Sequence, residues 1–149
     1  MVVQRVKRAS VSVDGACISE IGRGLLVLAG VSHDDTPFDA RYLGRKTANL
    51  RIFDDTEGRM NLSVQDVDGS VLAVSQFTLY GDCTKGNRPS YITAAGPEQG
   101  ETLFNEYVLA LEKCGLTART GRFGADMKID LLNDGPVTLL LESTGRSKE

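Results

Sequence analysis

The feature that most constrains the fold is an uninterrupted apolar run at residues 25–31, LLVLAGV. The run has about the length of one buried strand and is short for a helix. Because apolar side chains occupy both faces of such a strand, both faces must be covered by other parts of the chain. Residues 71–79 begin in the same way, with an apolar stretch up to Val74, and they predict a second strong strand.

The N-terminal part of the chain predicts an antiparallel hairpin. Residues 2–13 alternate loosely and include several β-branched side chains, which favours a strand. Asp14-Gly15 is a strong hairpin-turn pair, and residues 16–21 are expected to return antiparallel. The remaining strands are predicted at residues 51–53, 64–67, 127–132 and 137–141, with a turn at residues 133–136.

Two helices are predicted from their start and stop signals. Thr36 is the expected N-cap before Pro37, and this helix should end near Asn49. Pro97 begins the second helix, whose apolar residues recur with a helical period until Gly115 provides a C-terminal cap. The intervening residues 80–96 are rich in turn formers and predict a long ordered loop.

These elements predict one domain over residues 1–149 of the α/β (α+β) class. About seven strands and two helices fit mixed β-sheets that form a partly closed barrel with the two helices packed outside. The polar residues 143–149 are expected to be a frayed tail. Nothing in the chain resembles a signal peptide, and no apolar run approaches the roughly 18 to 20 residues of a membrane helix.

Charge and cysteine content narrow the choice of partners. The net charge is −3, so attraction to nucleic acid must come from local basic patches. Ordinary solvated charges are the simpler interpretation of such patches. The three cysteines form no CxxC pair, which argues against a disulfide framework and a zinc site and favours a reducing, cytoplasmic location. The candidate patches are Arg5, Lys7 and Arg8; Lys85 and Arg88; and Arg119, Arg122 and Lys128.

The standard catalytic motifs are missing from the sequence. The single histidine, His33, lies in a polar loop, where a solvated side chain is a simpler interpretation than a catalytic base. The chain has no GxSxG elbow, no HExxH, no phosphate-binding loop and no GxGxxG. The acidic pairs Asp34-Asp35 and Asp54-Asp55 lack the spacing of a calcium loop. An enzyme with these residues would rely on placement and backbone N–H donors, which suits a labile, activated ester.

Two polar stretches are candidates for a site. Ser75, Gln76, Phe77 and Thr78 interrupt an apolar strand, where buried polar groups cost free energy unless they are paired. A site at the strand end and a strand fraying into its loop explain this stretch equally well. In a regular strand, alternate residues face opposite sides, so one pocket could take all four only through backbone groups or a bulge. The second stretch, residues 133–138, has the local pattern of a hairpin turn.

These two stretches, SQFTLYGD and NDGPVT, resemble the D-aminoacyl-tRNA deacylase family. The segments QRVKRASVSVDG, RIFDDTEGRMNLSV and TGRFGADM resemble it at matching places, so the resemblance extends from Val3 to about Leu141. Several separated motifs in the right order are more specific than any one of them. The resemblance implies an ester hydrolase that releases D-amino acids from D-aminoacyl-tRNA and accepts glycyl-tRNA, with no cofactor and no metal.

The resemblance also implies a homodimer with a shared active site. In the family, a cis Gly-Pro pair of one subunit enters the pocket of the other and rejects L-amino acids. Arg5 would hold that turn, and the Ser-Gln-Phe-Thr stretch would line the pocket for the terminal adenosine of the tRNA. The matching catalytic residues are Ser75, Gln76, Phe77 and Thr78, and the matching substrate-binding and chiral-selection residues are Gly135, Pro136, Val137, Thr138, Arg5 and Met127.

For the reaction, we expect attack by water or a path assisted by the ribose 2′-hydroxyl. Backbone N–H groups near Phe77 and Thr78 would stabilise the oxyanion. Thr78 as a nucleophile is less favoured, because no base is visible beside it in the sequence.

Three other functions stay open at this point. The missing base and nucleophile fit a non-catalytic module that binds the 3′ end of tRNA. A small-molecule-binding dimer without an RNA partner would bind its ligand with little sensitivity to salt. A related branch of the family carries a trans Gly-Pro pair and removes particular L-amino acids, although Arg5 and the intact NDGPVT look more like the D-specific branch.

Overall fold

Strand β1 (Val2–Val13) is the strand on which the large sheet is built. In the computed structural model, which describes residues 1–143, one edge of β1 pairs antiparallel with β8 (Lys128–Leu140). Along its other edge, the first half of β1 pairs antiparallel with β3 (Gly24–Ala29), and the second half of β1 pairs antiparallel with β2 (Ala16–Ile21). The predicted N-terminal hairpin is confirmed, and twelve residues of β1 hold three strands in place.

The sheet continues from β3 through two parallel strands. Strand β6 (Ser70–Ser75) pairs parallel to β3, and β7 (Ala118–Thr120) pairs parallel to β6. Strand β2 also contacts β6 and β7, so the mixed sheet curls until it is nearly closed into a barrel. A separate two-stranded ribbon consists of β4 (Phe53–Asp54) and β5 (Met60–Leu62). The predicted fold class is therefore confirmed for residues 1–143.

The apolar run of β3 is buried on both faces, as the sequence predicts. Leu25 and Val27 belong to a core cluster that includes residues of both helices. Leu26 points the other way, into a second cluster made of strand residues alone. Strand β6 alternates in the same manner between the two clusters. Helices cover one face of the central strands and the curled sheet covers the other, which explains the absence of polar alternation.

Both helices begin and end where the sequence signals predict. Helix α1 (Pro37–Asn49) begins after Thr36, whose backbone N–H donates to the Asp39 carboxylate at 2.8 Å. Helix α2 (Pro97–Lys113) ends shortly before Gly115, which has a φ of +90°. This left-handed conformation favours glycine and stops the helix.

The two helices pack directly against each other in the core. The hydroxyl oxygens of Thr47 and Tyr107 are 2.9 Å apart, and both side chains are fully buried. Burial raises the pKa of the Tyr107 phenol, because the charged form would lose its hydration. Gly44 faces Ala110 at this contact, and a Cβ atom on Gly44 would lie only 2.5 Å from the Cβ of Ala110.

The predicted strand over residues 71–79 ends earlier, at Ser75. Its parallel partner β3 ends at Ala29, and the N–H of Gln76 makes the last bond to that partner, at 2.8 Å to the carbonyl of Ala29. With no further strand to pair with, residues Phe77–Tyr80 form a 3₁₀ helix. The prediction of a strand through Leu79 is therefore wrong.

The predicted strand at residues 64–67 is also wrong, because these residues form a turn. The backbone N–H of Ser63 donates to the Asp66 carboxylate at 2.8 Å, and the N–H of Asp66 donates to the Ser63 hydroxyl at 3.3 Å. Side chains that satisfy nearby backbone groups compete with strand pairing. The edge strand lies just before this turn, at β5, and the three-residue β7 was not predicted.

Residues 133–136, predicted as a turn between two strands, lie inside the single strand β8. The chain does not reverse there. Between the Gln4–Thr138 pair and the Val6–Asn133 pair, β1 advances two residues while β8 advances five. The turn-forming residues therefore produce a bulge that projects from a continuous strand.

The end of the described chain is packed against the fold. Of the predicted frayed tail, only Ser143 lies within the described residues, and its side chain is buried. Residues 144–149 lie outside them. Within residues 1–143, no helix has both the length and the apolar character needed to cross a membrane.

We expect Gly44→Ala to lower the free energy of unfolding by up to about 2 kcal/mol, measured by urea denaturation. Overpacking in a core typically costs about 1–3 kcal/mol, which outweighs the helix propensity of about 1 kcal/mol that alanine adds. Gly22→Ala is the matched control, because its Cβ would meet no atom within 4 Å. A Gly44→Ala protein as stable as Gly22→Ala would contradict this account of the helix contact.

Candidate active site

A cavity of about 450 Å³ lies at the carboxyl end of β6. One wall is the 3₁₀ helix, and another is the first turn of α2. In sheets with parallel strands, ligands commonly bind beyond the carboxyl ends of those strands. The residues that line the cavity are Val31, Ser75, Gln76, Phe77, Thr78, Ala95, Gly96, Pro97, Gly100, Phe123, Gly124, Ala125 and Met127.

The structure brings all four residues of the Ser-Gln-Phe-Thr stretch to this cavity. A regular strand would have sent alternate side chains to opposite faces. Because the strand ends at Ser75 and a 3₁₀ helix follows, that alternation is broken immediately before Phe77. Of the two interpretations of the polar stretch, a strand end that contributes to a pocket is the one that the geometry matches.

Hydrogen bonds fix the polar groups of this wall. The Gln76 side-chain amide donates to the Thr78 hydroxyl oxygen at 2.9 Å. The first N–H groups of a helix have no acceptor within the helix. Accordingly, outside the helices and the strand pairing, no backbone hydrogen bond among residues 1–143 uses the N–H of Phe77 or of Thr78. The wall therefore offers two backbone donors next to an amide and a hydroxyl.

Another part of the lining consists of residues that the sequence does not mark as candidate site residues. Gly96, Pro97 and Gly100 belong to the start of α2, and Phe123–Ala125 belong to the TGRFGADM segment that carried part of the family resemblance. Met127 was predicted and lies here. A Cβ atom on Gly121 would be 2.6 Å from the Met127 sulfur, so this glycine leaves room for the methionine.

Among residues 1–143, those that line the cavity include no ionisable side chain. His33 lies elsewhere, with its side chain 49% exposed and its Nδ1 atom 3.1 Å from the Asp34 carboxylate. Among residues 1–143, no three His, Cys, Asp or Glu side chains are grouped so as to hold a metal ion. The chemistry that these walls can supply is therefore hydrogen bonding and exclusion of solvent.

The bulge of β8 is a second candidate element, and it lies outside this cavity. Gly135 and Pro136 are exposed, and the peptide bond between them is cis. Val137 is buried in the core, and the hydroxyl of Thr138 accepts a bond from the Gln4 side chain at 3.3 Å. The structure thus separates the predicted site residues into two groups, one lining the cavity and one at the bulge.

The buried side chain of Arg5 binds the bulge. This side chain is only 9% exposed, and its Nη1 atom donates to the Ile52 carbonyl at 2.7 Å while its Nε atom donates to the Asp134 carbonyl at 3.1 Å. The Asp54 and Asp134 carboxylates lie 3.6 Å and 3.7 Å from the guanidinium. Gly135 has a φ of +123°, which L side chains rarely adopt, and a Cβ atom there would come within 2.8 Å of the guanidinium, so the position favours glycine.

Asn133 closes the base of the bulge. Its side-chain amide donates to the Arg5 carbonyl at 3.1 Å and to the Val137 carbonyl at 3.0 Å. One amide thus joins β1 to both ends of the projecting segment. The sequence pattern marked this asparagine only as a turn former.

Comparison with known proteins identifies the family of the chain. The family model described as D-Tyr-tRNA(Tyr) deacylase matches residues 2–142. The chain belongs to this deacylase family. It is 54% identical over 146 residues to the D-aminoacyl-tRNA deacylase of Geobacter sulfurreducens, covering 98% of this chain and 96% of that protein. It is 55% identical over 142 residues to the D-aminoacyl-tRNA deacylase of Thermosipho africanus, covering 95% of each.

Solved structures share the fold of this deacylase family member. The c-Myc DNA unwinding element binding protein superposes with a TM-score of 0.88 at 46% identity, covering 95% of this chain and 97% of that one. A probable eukaryotic D-amino acid tRNA deacylase superposes with a TM-score of 0.80 over the same shares of each chain. Its identity is 16%, so that second likeness concerns the fold alone.

We expect Arg5→Lys to lower the free energy of unfolding by about 1–3 kcal/mol. A lysine ammonium cannot donate to the Ile52 and Asp134 carbonyls together as the planar guanidinium does. A buried carbonyl acceptor is therefore left without a partner. Urea denaturation of the purified protein measures the loss.

Arg8→Lys is the matched control, because Arg8 lies on the same strand but is 60% exposed and forms one ion pair, with Asp130. Exposed pairs of this kind contribute at most about 1 kcal/mol. Equal losses in the two variants would show that the buried contacts of Arg5 do not stabilise the bulge.

Proposed function

We propose that the chain hydrolyses the ester bond of D-aminoacyl-tRNA and releases the free tRNA and the D-amino acid. Membership of the deacylase family over residues 2–142 supports this, and the observation that carries it is the cavity lined by Ser75, Gln76, Phe77 and Thr78. Its volume of about 450 Å³ falls in the usual range for small-molecule sites. The proposal includes a cytoplasmic location, where aminoacyl-tRNA is used.

In the proposed reaction, a water oxygen bonds to the ester carbonyl carbon. The bond from that carbon to the ribose oxygen then breaks, and the proton of the water passes to the ribose oxygen. The unused N–H groups of Phe77 and Thr78 are suited to hold the oxyanion that develops on the carbonyl. The adjacent ribose hydroxyl of the substrate assists the proton transfer, because none of the described residues that line the cavity has an ionisable side chain to do so.

Thr78 serves in this proposal as a positioning group rather than as the nucleophile. Its oxygen already accepts a hydrogen bond from Gln76. A hydroxyl nucleophile needs a base to remove its proton, and within the described part of the chain no ionisable side chain lines the cavity. Water attack is therefore the simpler path.

The proposal assigns stereochemical selection to Gly135 and Pro136 of a second subunit. Both are exposed and lie outside the cavity of their own chain, on a bulge held by Arg5 and Asn133. The bulge adjoins exposed apolar residues of β8, including Leu132 and Leu140, as expected for a surface that pairs with another copy. Entering the partner's cavity, Gly135 and Pro136 would collide with an L side chain but not with a D side chain, and glycyl-tRNA would be accepted.

The first test measures amino acid release from D-tyrosyl-tRNA and L-tyrosyl-tRNA in the presence of a chelator. We expect release of the D form to be faster by about a hundredfold or more, because a steric collision excludes the L form. Release of neither form would favour a tRNA-binding module without catalysis. Faster release of the L form would contradict selection by the bulge.

Two proline variants distinguish the role of the bulge in selection from any general effect of replacing a proline. We expect Pro136→Ala to reduce the ratio of D to L release, since a smaller side chain at the tip relieves the collision. Pro37→Ala is the matched control, because Pro37 is an exposed first residue of α1 far along the chain from the bulge. An unchanged ratio in Pro136→Ala would count against this role.

We expect Thr78→Ala to keep kcat/KM within about tenfold of the unaltered enzyme. Removing a true nucleophile generally costs about a thousandfold or more. Single-turnover kinetics, together with the intact mass of protein quenched during turnover, measure the effect. A thousandfold loss, or a protein mass increased by one aminoacyl group, would establish a covalent threonine instead.

A further inference from the structure

A basic loop lies next to the cavity and has no role in the reaction proposed above. Residues 82–90 form a loop that begins shortly after the end of the 3₁₀ helix. Two backbone hydrogen bonds between Asp82 and Ser90, of 2.8 Å and 2.9 Å, join the ends of this loop. Lys85 and Arg88 are both exposed in this loop. Between Asp82 and Glu98 the chain contains no acidic residue, so in this protein of net charge −3 the segment is locally positive.

The loop is firmly attached to the cavity wall. The backbone N–H of Thr84 donates to the Asp82 carboxylate at 2.9 Å, which orders the first turn and holds the pKa of Asp82 below its usual value. The ring of Tyr91, the residue after the loop closes, packs edge-on against the ring of Phe77 with centroids 5.1 Å apart. A Cβ atom on Gly81 would lie 3.0 Å from that tyrosine ring, so the loop and the wall are in close contact.

Apolar and aromatic side chains at the cavity wall and directly after the loop are open to solvent. Phe77 is 56% exposed, Tyr91 is 39% exposed and Ile92 is 84% exposed. Exposed aromatic rings beside positive charge are the combination by which proteins bind single-stranded nucleic acid, because bases stack on rings and phosphates pair with cations. Arg88 is three residues before Tyr91, hence within about 10 Å of it along the chain.

The two cations of the loop are available for such a ligand. Neither Lys85 nor Arg88 forms a salt bridge with another residue of the described chain. By contrast, Arg8 is paired with Asp130, and Lys128 is paired with Asp126. A cation without a salt-bridge partner, on a loop whose flanking Tyr91 contacts the cavity wall, is better placed to bind a substrate phosphate than one that is already paired.

We propose that the 82–90 loop and Tyr91 bind the unpaired 3′ end of the tRNA just before its terminal adenosine. Lys85 and Arg88 contact backbone phosphates, and the Tyr91 ring stacks on a base. This inference rests on the proposed function, in which the cavity holds the terminal adenosine and its ester. Contacts to the RNA backbone and to the flat faces of bases do not depend on which base is present. The loop therefore binds any tRNA that has the same unpaired 3′ end.

The test compares the unaltered enzyme with the double variant Lys85→Gln, Arg88→Gln. We expect the double variant to raise the Kd for deacylated tRNA and the KM for D-tyrosyl-tRNA by about tenfold, with kcat within about twofold. The plot of log Kd against log salt concentration should become shallower by about 1.4, since each phosphate contact in a single strand contributes about 0.7. Hydrolysis of D-tyrosyl-adenosine, which lacks the preceding phosphates, should be unchanged.

The matched control is Lys46→Gln, Lys113→Gln, which removes the same charge from exposed positions at the far ends of α1 and α2. We expect its Kd to rise less than twofold. Tyr91→Phe should bind tRNA as the unaltered enzyme does, whereas Tyr91→Ala should bind it about tenfold more weakly, because stacking requires the ring alone.

Two results would overturn the inference about the loop. One is an unchanged Kd and salt dependence in the double variant. The other is a loop variant that alters the sedimentation of the protein but not its affinity for tRNA, which would mean that a second copy of the chain covers this surface. Failure of the proposed function is distinct: the unaltered enzyme would bind deacylated tRNA through Lys85 and Arg88 yet release no amino acid.

Discussion

The pairing of β1 along both of its edges is the constraint on which the rest of the structure depends. One edge holds β2 and β3, the other holds β8, and the remaining parallel strands attach through β3. Because β8 has more residues than the part of β1 it faces, the excess must leave the sheet as a bulge. Arg5 lies on β1 at that place, and its buried guanidinium binds the bulge from within. The exposed Gly135-Pro136 tip is thereby attached to β1, the strand that is paired along both of its edges.

The cavity has a similarly simple physical origin. Strand β3 ends at Ala29, so β6 loses its partner at Ser75 and the chain tightens into a 3₁₀ helix. The start of that helix leaves N–H groups without acceptors, and the start of α2 completes the opposite wall. A site of this kind is rich in backbone donors and poor in ionisable groups. Such a site suits an ester that is already labile, where orientation and charge stabilisation lower the barrier.

The pairing of β1 and the early end of β6 position three exposed features of the molecule. These features are the cavity, the bulge and the 82–90 loop. In the proposed function each would meet a different part of one substrate. The cavity would take the ester and the terminal adenosine, the bulge of a second subunit would test the stereocentre, and the loop would bind the backbone before the adenosine. Under that proposal, this division would let a small chain with one histidine, outside the cavity, act selectively on a large RNA substrate.

The sequence by itself determined the elements whose signals are local. The apolar runs at β3 and β6, the Asp14-Gly15 turn and the two proline-initiated helices are all found where the pattern predicts them, because each depends on neighbouring residues. The family resemblance also selected Ser75–Thr78 and Met127, which the structure places in one cavity. Only the tertiary structure decided that residues 133–136 bulge instead of turning, since that outcome depends on β1 pairing with both halves of β8. It likewise decided that β6 stops at Ser75 and that residues of α2 complete the cavity, because a strand ends where its partner ends and a pocket forms only where distant segments meet.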